Sequence, residues 1–192
     1  TDDKIGIAFV LRRSGGYAFH QTRIRAVKEN AWTGTPSSIN SALTFSTYSA
    51  ESADERMRLL EHLVASGVPA EKLMPGTGAC SITEAVALTR HAVRQGCGGM
   101  LLLPPFFYKG VSDDGIFAFV ERVIQDVGED GLKIYLYHIP PMAQVGFSVE
   151  LVGRLHGAYP DTVVGLKDSS GDWSNTEALI KAYPRMEVFP GS

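Results

Sequence analysis

The feature that most restricts the fold of this chain is an alternation that begins at Ser52. Short apolar runs without internal charge are separated by capped, amphipathic segments. Gly98–Pro104 reads GGMLLLP, Lys133–Ile139 reads KIYLYHI and Thr162–Lys167 reads TVVGLK. A strand with no polar face must be covered on both sides, which is the condition of a parallel sheet in an α/β fold. Shorter runs at Lys72–Met74 and Glu187–Phe189 extend the series.

The intervening segments carry helix signals. Ser52-Ala-Asp-Glu55, Ser81-Ile-Thr-Glu84 and Ser174-Asn-Thr-Glu177 have capping-box spacing, in which Ser and Glu satisfy free N–H groups at a helix start. Ser148 is the expected cap of a further helix. Apolar residues then recur at helical spacing: Met57, Leu60 and Val64; Ala85, Val86, Thr89 and Val93; Ile116, Val120, Val123 and Val127; Leu151, Val152 and Leu155; Leu179 and Ile180. One strand–helix unit takes about 25–35 residues, which suits a doubly wound sheet or a (β/α)8 barrel equally. Upstream, Ile5–Val10 and Leu43–Tyr48 are strand candidates flanking a helix at Thr22–Ala31, for a total of about seven strands.

Composition narrows the class. The 192 residues are 44% hydrophobic and 20% charged, with net charge −3; these are globular proportions. The mild acidity gives no electrostatic case for nucleic acid. No apolar stretch reaches membrane-spanning length. The start, TDDKIGIAFV, lacks the basic-then-apolar pattern of a secretory leader. Two cysteines, Cys80 and Cys97, make no disulfide framework or thiolate metal site, as expected of a cytoplasmic protein. Charge is uneven: residues 11–50 hold Arg12, Arg13, Arg23, Arg25 and Lys28 against Glu29 alone. These arginines are scattered, which fits a divergent segment better than a nucleic-acid arm.

Lys167 is the most informative residue. It ends a buried apolar strand, where α/β folds place their active sites. Partial removal from water there favours the neutral amine that can attack a carbonyl. The competing reading is a structural lysine paired with Asp168. Tyr137 also ends a strand, where it can relay a proton; Tyr135, two residues earlier, reads as a packed aromatic. Gly76-Thr-Gly78 resembles the start of a dinucleotide fingerprint but lacks its third glycine and its acidic partner. A tight turn with backbone donors facing an anion is the better reading. His62, His91 and His156 are isolated on helices and give no metal site. Asp113, Asp114, Glu129 and Asp130 read as helix-start and loop carboxylates.

Taken in order, Gly76-Thr-Gly78, Pro105-Phe-Phe-Tyr-Lys109, Tyr137-His-Ile-Pro140, Gly165-Leu-Lys-Asp-Ser-Ser-Gly-Asp172 and Gly191 resemble the dihydrodipicolinate synthase/N-acetylneuraminate lyase family. The resemblance covers about residues 52–192 and leaves 1–51 poorly matched. It implies a single domain, a TIM (β/α)8 barrel that lacks its eighth strand and C-terminal helices. It further implies a class I aldolase on pyruvate or a related 2-oxo acid plus an aldehyde, with no cofactor and no metal, assembled as a homotetramer. On that resemblance Lys167 forms the Schiff base and Tyr137 moves protons, while Thr44, Tyr108 and Gly191 bind substrate.

Three departures stand out. The family's Gly-Thr-Thr-Gly-Glu motif appears as Leu43-Thr-Phe-Ser-Thr47, so Thr44 alone survives. The expected relay tyrosine is Phe107, with Tyr108 beside it. Where synthases place an arginine for the aldehyde's carboxylate, this chain has Pro141-Met142-Ala143. The last departure favours a different aldehyde over that of the dihydrodipicolinate synthase proper. The remaining alternative is a truncated, non-catalytic 2-oxo acid-binding protein.

Overall fold

The computed structural model describes residues 53–191. The strand candidates Ile5–Val10 and Leu43–Tyr48, the helix candidate Thr22–Ala31, Thr44 and the capping residue Ser52 lie outside the described residues. The described chain alternates helix and strand as the pattern requires. Helices α1 (Ala53–Ala65) and α2 (Ile82–Arg94) precede strand β1 (Met100–Leu102) and helix α3 (Asp113–Val127). Then follow β2 (Ile134–His138), α4 (Pro140–Ala143), α5 (Val149–Ala158), β3 (Val163–Asp168), α6 (Trp173–Ala182) and β4 (Glu187–Pro190).

All strand pairs are parallel, and the sheet order is β1-β2-β3-β4. Strand order that never reverses is the order of a barrel wall; a doubly wound sheet has a switch point. Successive helices pack against one another, α1 on α2, α2 on α3, α3 on α5 and α5 on α6. The core therefore lies between this helical layer and the sheet. Met100, Leu102, Ile134, Leu136, Val163 and Leu166 meet Ile116, Val120, Val123, Leu151, Leu155 and Leu179 there.

Local chemistry explains most helix ends. Ser81, Ser112 and Ser148 cap α2, α3 and α5, each accepting a bond from the amide three residues on. Two expectations fail. The expected box at Ser174 gives way to Asp172, whose side chain accepts from Ser174 N and caps a helix that starts at Trp173. A carboxylate is drawn to the positive helix end as well as bonding there. Ile180, expected inward, is 46% exposed, and the buried residues of that helix are Thr176 and Leu179.

A third expectation, the strand at Lys72–Met74, also fails. Ala70–Lys72 instead form a 3-10 turn, and the chain then runs irregularly beside β1. Leu101 N donates to Pro75 O at 3.0 Å and Thr77 N donates to Leu101 O at 2.9 Å. Pro75 has no N–H to give, so a regular ladder cannot form through it.

Candidate active site

Parallel pairing brings the two expected chemical residues together. Tyr137 on β2 stands opposite Lys167 on β3, one step from the carboxyl end of each strand. Residues paired in register share a sheet face. Lys167 Nζ lies 3.4 Å from Tyr137 Oη and 4.5 Å from its ring centroid, and both side chains are half-buried. The Lys167–Asp168 pairing is not what holds the lysine. Adjacent strand residues point to opposite faces, and Asp168 is buried, with other partners.

The Gly165–Asp172 motif divides into parts with separate tasks. A Cβ on Gly165 would lie 2.4 Å from Glu187 O and 2.5 Å from the Tyr135 ring, and one on Gly99 would lie 2.3 Å from that ring's other edge. The absence of side chains at Gly99 and Gly165 thus leaves room for Tyr135. Leu166 enters the core and Lys167 the opposite face. The Asp168 carboxylate accepts from Ser170 N at 2.9 Å, Asn175 Nδ2 at 2.9 Å and Thr176 Oγ1 at 2.7 Å. Burial pushes the Asp168 carboxyl up, but the hydrogen bonds outweigh it, and the group is held below the usual carboxylate range. Ser170 Oγ accepts from Asp172 N at 3.1 Å. Gly171 has φ +76°, which glycine adopts without strain.

The Tyr137–Pro140 motif is similarly resolved. His138 faces the helical layer, 8% exposed, and its Nδ1 accepts from Phe147 N at 3.0 Å. Burial lowers its pKa from 6.5, opposed by the Asp168 charge. Pro140 opens the short helix α4, where its missing N–H costs nothing.

The other expected residues are more scattered. Gly191 sits beside the site: its N–H donates to Asp168 O at 2.6 Å. Tyr108 is in the loop after β1, 58% exposed, its ring edge-on to Phe107. Its ring contact is with Phe107, so it is not brought together with Lys167 and Tyr137. Thr44 lies outside the described residues. In Gly76-Thr-Gly78 the Thr77 N–H is taken by Leu101 O on β1 and so is not available to an anion.

Sequence reasoning overlooked two residues. Lys109 ties the loop after β1 to α4, donating to Phe106 O at 2.5 Å and Ala143 O at 2.9 Å. Asp168 was read only as a partner for Lys167. Its proper signal was Asn175 and Thr176 one helical turn beyond an Asp cap. His91 pairs with Glu61 at 2.9 Å and His156 with Val163 O at 2.9 Å, so both are occupied structurally. No helix among the described residues is long and apolar enough to cross a membrane.

An all-parallel α/β sheet presenting a lysine and a tyrosine at neighbouring carboxyl ends defines a class of small-molecule site. The chain belongs to the Dihydrodipicolinate synthetase family, whose model matches residues 43–192. That match starts ahead of Ser52 and so takes in Thr44. An uncharacterised DapA-like lyase of Chloroflexus aurantiacus is 34% identical over 141 residues, 73% of this chain and 46% of the relative. The dihydrodipicolinate synthase of Agrobacterium tumefaciens superposes with TM-score 0.71 at 39% identity, over 73% of this chain and 49% of that one. The Acinetobacter baumannii dihydrodipicolinate synthase, solved in complex with pyruvate, gives TM-score 0.63 at 28% identity, over 74% and 47%. The chain spans about half the length of these proteins.

Proposed function

We propose that this chain is a Schiff-base-forming lyase of the class I aldolase type, acting on pyruvate or a related 2-oxo acid. The observation that carries the proposal is the 3.4 Å approach of Lys167 Nζ to Tyr137 Oη at the carboxyl ends of adjacent parallel strands. Lys167 reacts as the free amine. Its nitrogen adds to the keto carbon, and the former carbonyl oxygen gains a proton and departs as water, leaving a protonated imine. The imine accepts the electron pair of an adjacent C–H or C–C bond, giving an enamine. Running forward, the enamine carbon adds to an aldehyde; running backward, an aldehyde is released.

Tyr137 serves as the proton carrier, since its hydroxyl lies within reach of the amine. Substrate binding by Thr44, Tyr108 and Gly191 is part of the same proposal. At Gly191 the role is to leave room, since a Cβ would lie 2.2 Å from Ser169 Oγ. Pro141-Met142-Ala143, without an arginine, supports an aldehyde other than the one taken by the synthase proper. The arc β1–β4 is proposed as one wall of a (β/α)8 barrel, and copies of the chain as partners in a homo-oligomer.

The test is to incubate the protein with pyruvate and sodium borohydride and map the product by mass spectrometry. A reduced adduct at Lys167 is expected. Absence of label at Lys167 overturns the reading, and a thermal shift with pyruvate in the absence of label identifies a binder instead.

A further inference from the structure

We infer that Asp168 is a positioning residue for Lys167, fixing the lysine's approach to Tyr137 by pinning the end of β3 to the start of α6. The inference rests on the reading of Lys167 as the reacting amine. It goes further by assigning a task to a carboxylate on the opposite face of the sheet.

The end of β3 is held from three sides. Toward β2, Ser169 N donates to His138 O at 2.7 Å; toward β4, Gly191 N donates to Asp168 O at 2.6 Å. Toward the helices, the Asp168 carboxylate collects Ser170 N, Asn175 Nδ2 and Thr176 Oγ1. Only the third hold depends on a side chain. Asp168 is 2% exposed, so a carboxylate there persists only when its lone pairs are filled, as they are.

Geometry transmits this hold to the lysine. Lys167 and Asp168 share a peptide plane and project to opposite faces. Without the three bonds of the Asp168 carboxylate, the end of β3 is free to shift relative to α6, and a change in the backbone dihedrals at the peptide joining the two residues reorients the Lys167 Cα–Cβ bond. The amine ends a flexible side chain, so a small turn at Cα displaces Nζ from Tyr137 Oη. Displacements of that order cost about 100-fold in rate when reacting groups are misaligned. Ser170, Asn175 and Thr176 serve this site through the same carboxylate, without contact to Lys167.

The decisive variants are Asp168→Ala and the exchange Asp168→Asn with Asn175→Asp. In the exchange, the bond between positions 168 and 175 survives with donor and acceptor reversed. Two readouts are taken on protein whose circular dichroism matches wild type. The first is the rate of borohydride-trapped pyruvate addition at Lys167. The second uses no pyruvate: limiting acetic anhydride, with acetylation at Lys167 quantified against exposed Lys133 in the same molecule.

For Asp168→Ala, a fall of about tenfold in adduct rate and a shift of about threefold in the Lys167/Lys133 ratio are expected, with both returning toward wild type in the exchange. A folded Asp168→Ala within about twofold of wild type on both measures overturns the inference. So does an exchange variant that folds but recovers neither. Should Asp168→Ala not fold, Thr176→Val removes one donor and is expected to give about a threefold fall in rate; no change overturns the inference. If wild type itself takes no pyruvate, the aldolase reading fails, while the acetylation ratio still decides the role of Asp168.

Discussion

Tyr135 and Tyr137 lie on the same face of the same strand, two residues apart, in opposite surroundings. Tyr135 is wedged between the bare backbones of Gly99 and Gly165, and its hydroxyl donates to Glu187 Oε2 at 2.7 Å. Burial and that bond push its phenol up. Tyr137 has larger neighbours and lies half-exposed at the open end of the sheet, its hydroxyl turned to Lys167. One ring fills a layer and the other borders a site. Position along the strand decides which ring is packed and which stays accessible, because the amino end is closed by packing and the carboxyl end opens onto loops.

The comparison breaks first at Lys167. Replacing it with Met is expected to abolish the trapped pyruvate adduct at that position while leaving the fold intact, read by mass spectrometry and circular dichroism. Tyr137→Phe comes next: adduct formation should slow about 100-fold with an unchanged melting temperature. Equal rates in Tyr137→Phe and wild type would erase the distinction between the two tyrosines. Gly165→Ala tests the other half. Its methyl group meets the Tyr135 ring and Glu187 O, so a loss of about 2–3 kcal/mol in urea unfolding is expected. Tyr135→Phe should cost about 1 kcal/mol with the rate of adduct formation unaltered.

The smallest effect concerns His138, on the reverse face of the same strand. Its folded pKa lies below 6.5 because burial disfavours the charged ring. Below pH 6.5 the unfolded chain therefore takes up a proton that the folded one resists, and stability falls as pH drops toward the folded value. His138→Asn keeps an acceptor for Phe147 N and removes this slope. Urea midpoints at pH 7.5 and 5.5 should converge in the variant, and a slope identical to wild type would assign the dependence elsewhere.

Lys167 and Tyr137 were legible because each ends an apolar run and sits in a dense motif. The caps at Ser81 and Ser148 were legible for a local reason: donor and acceptor are three residues apart. The cap of α6 was misread because Asp172 and Ser174 are both good caps, and the choice falls to the residue that the Ser170 turn presents. Lys72–Met74 was read as a strand because apolar content outweighed Pro75. Asp168 was missed as an anchor because its role depends on Asn175 and Thr176 coming back onto it. Lys109 was missed because one of its two carbonyl partners, Ala143 O, lies 34 residues away at the end of α4.

The sequence by itself determined the period of the fold, the faces of most helices and the parallel character of the sheet. These follow from burial and capping, which act within one segment. Tertiary structure alone decided the unreversed strand order, the pairing of Tyr137 with Lys167, and the conversion of Asp168 from ion-pair candidate to anchor. The first two depend on hydrogen bonds between strands remote along the chain, and no local pattern encodes which ladder a strand will join; the third depends on α6 bringing Asn175 and Thr176 back onto the strand end.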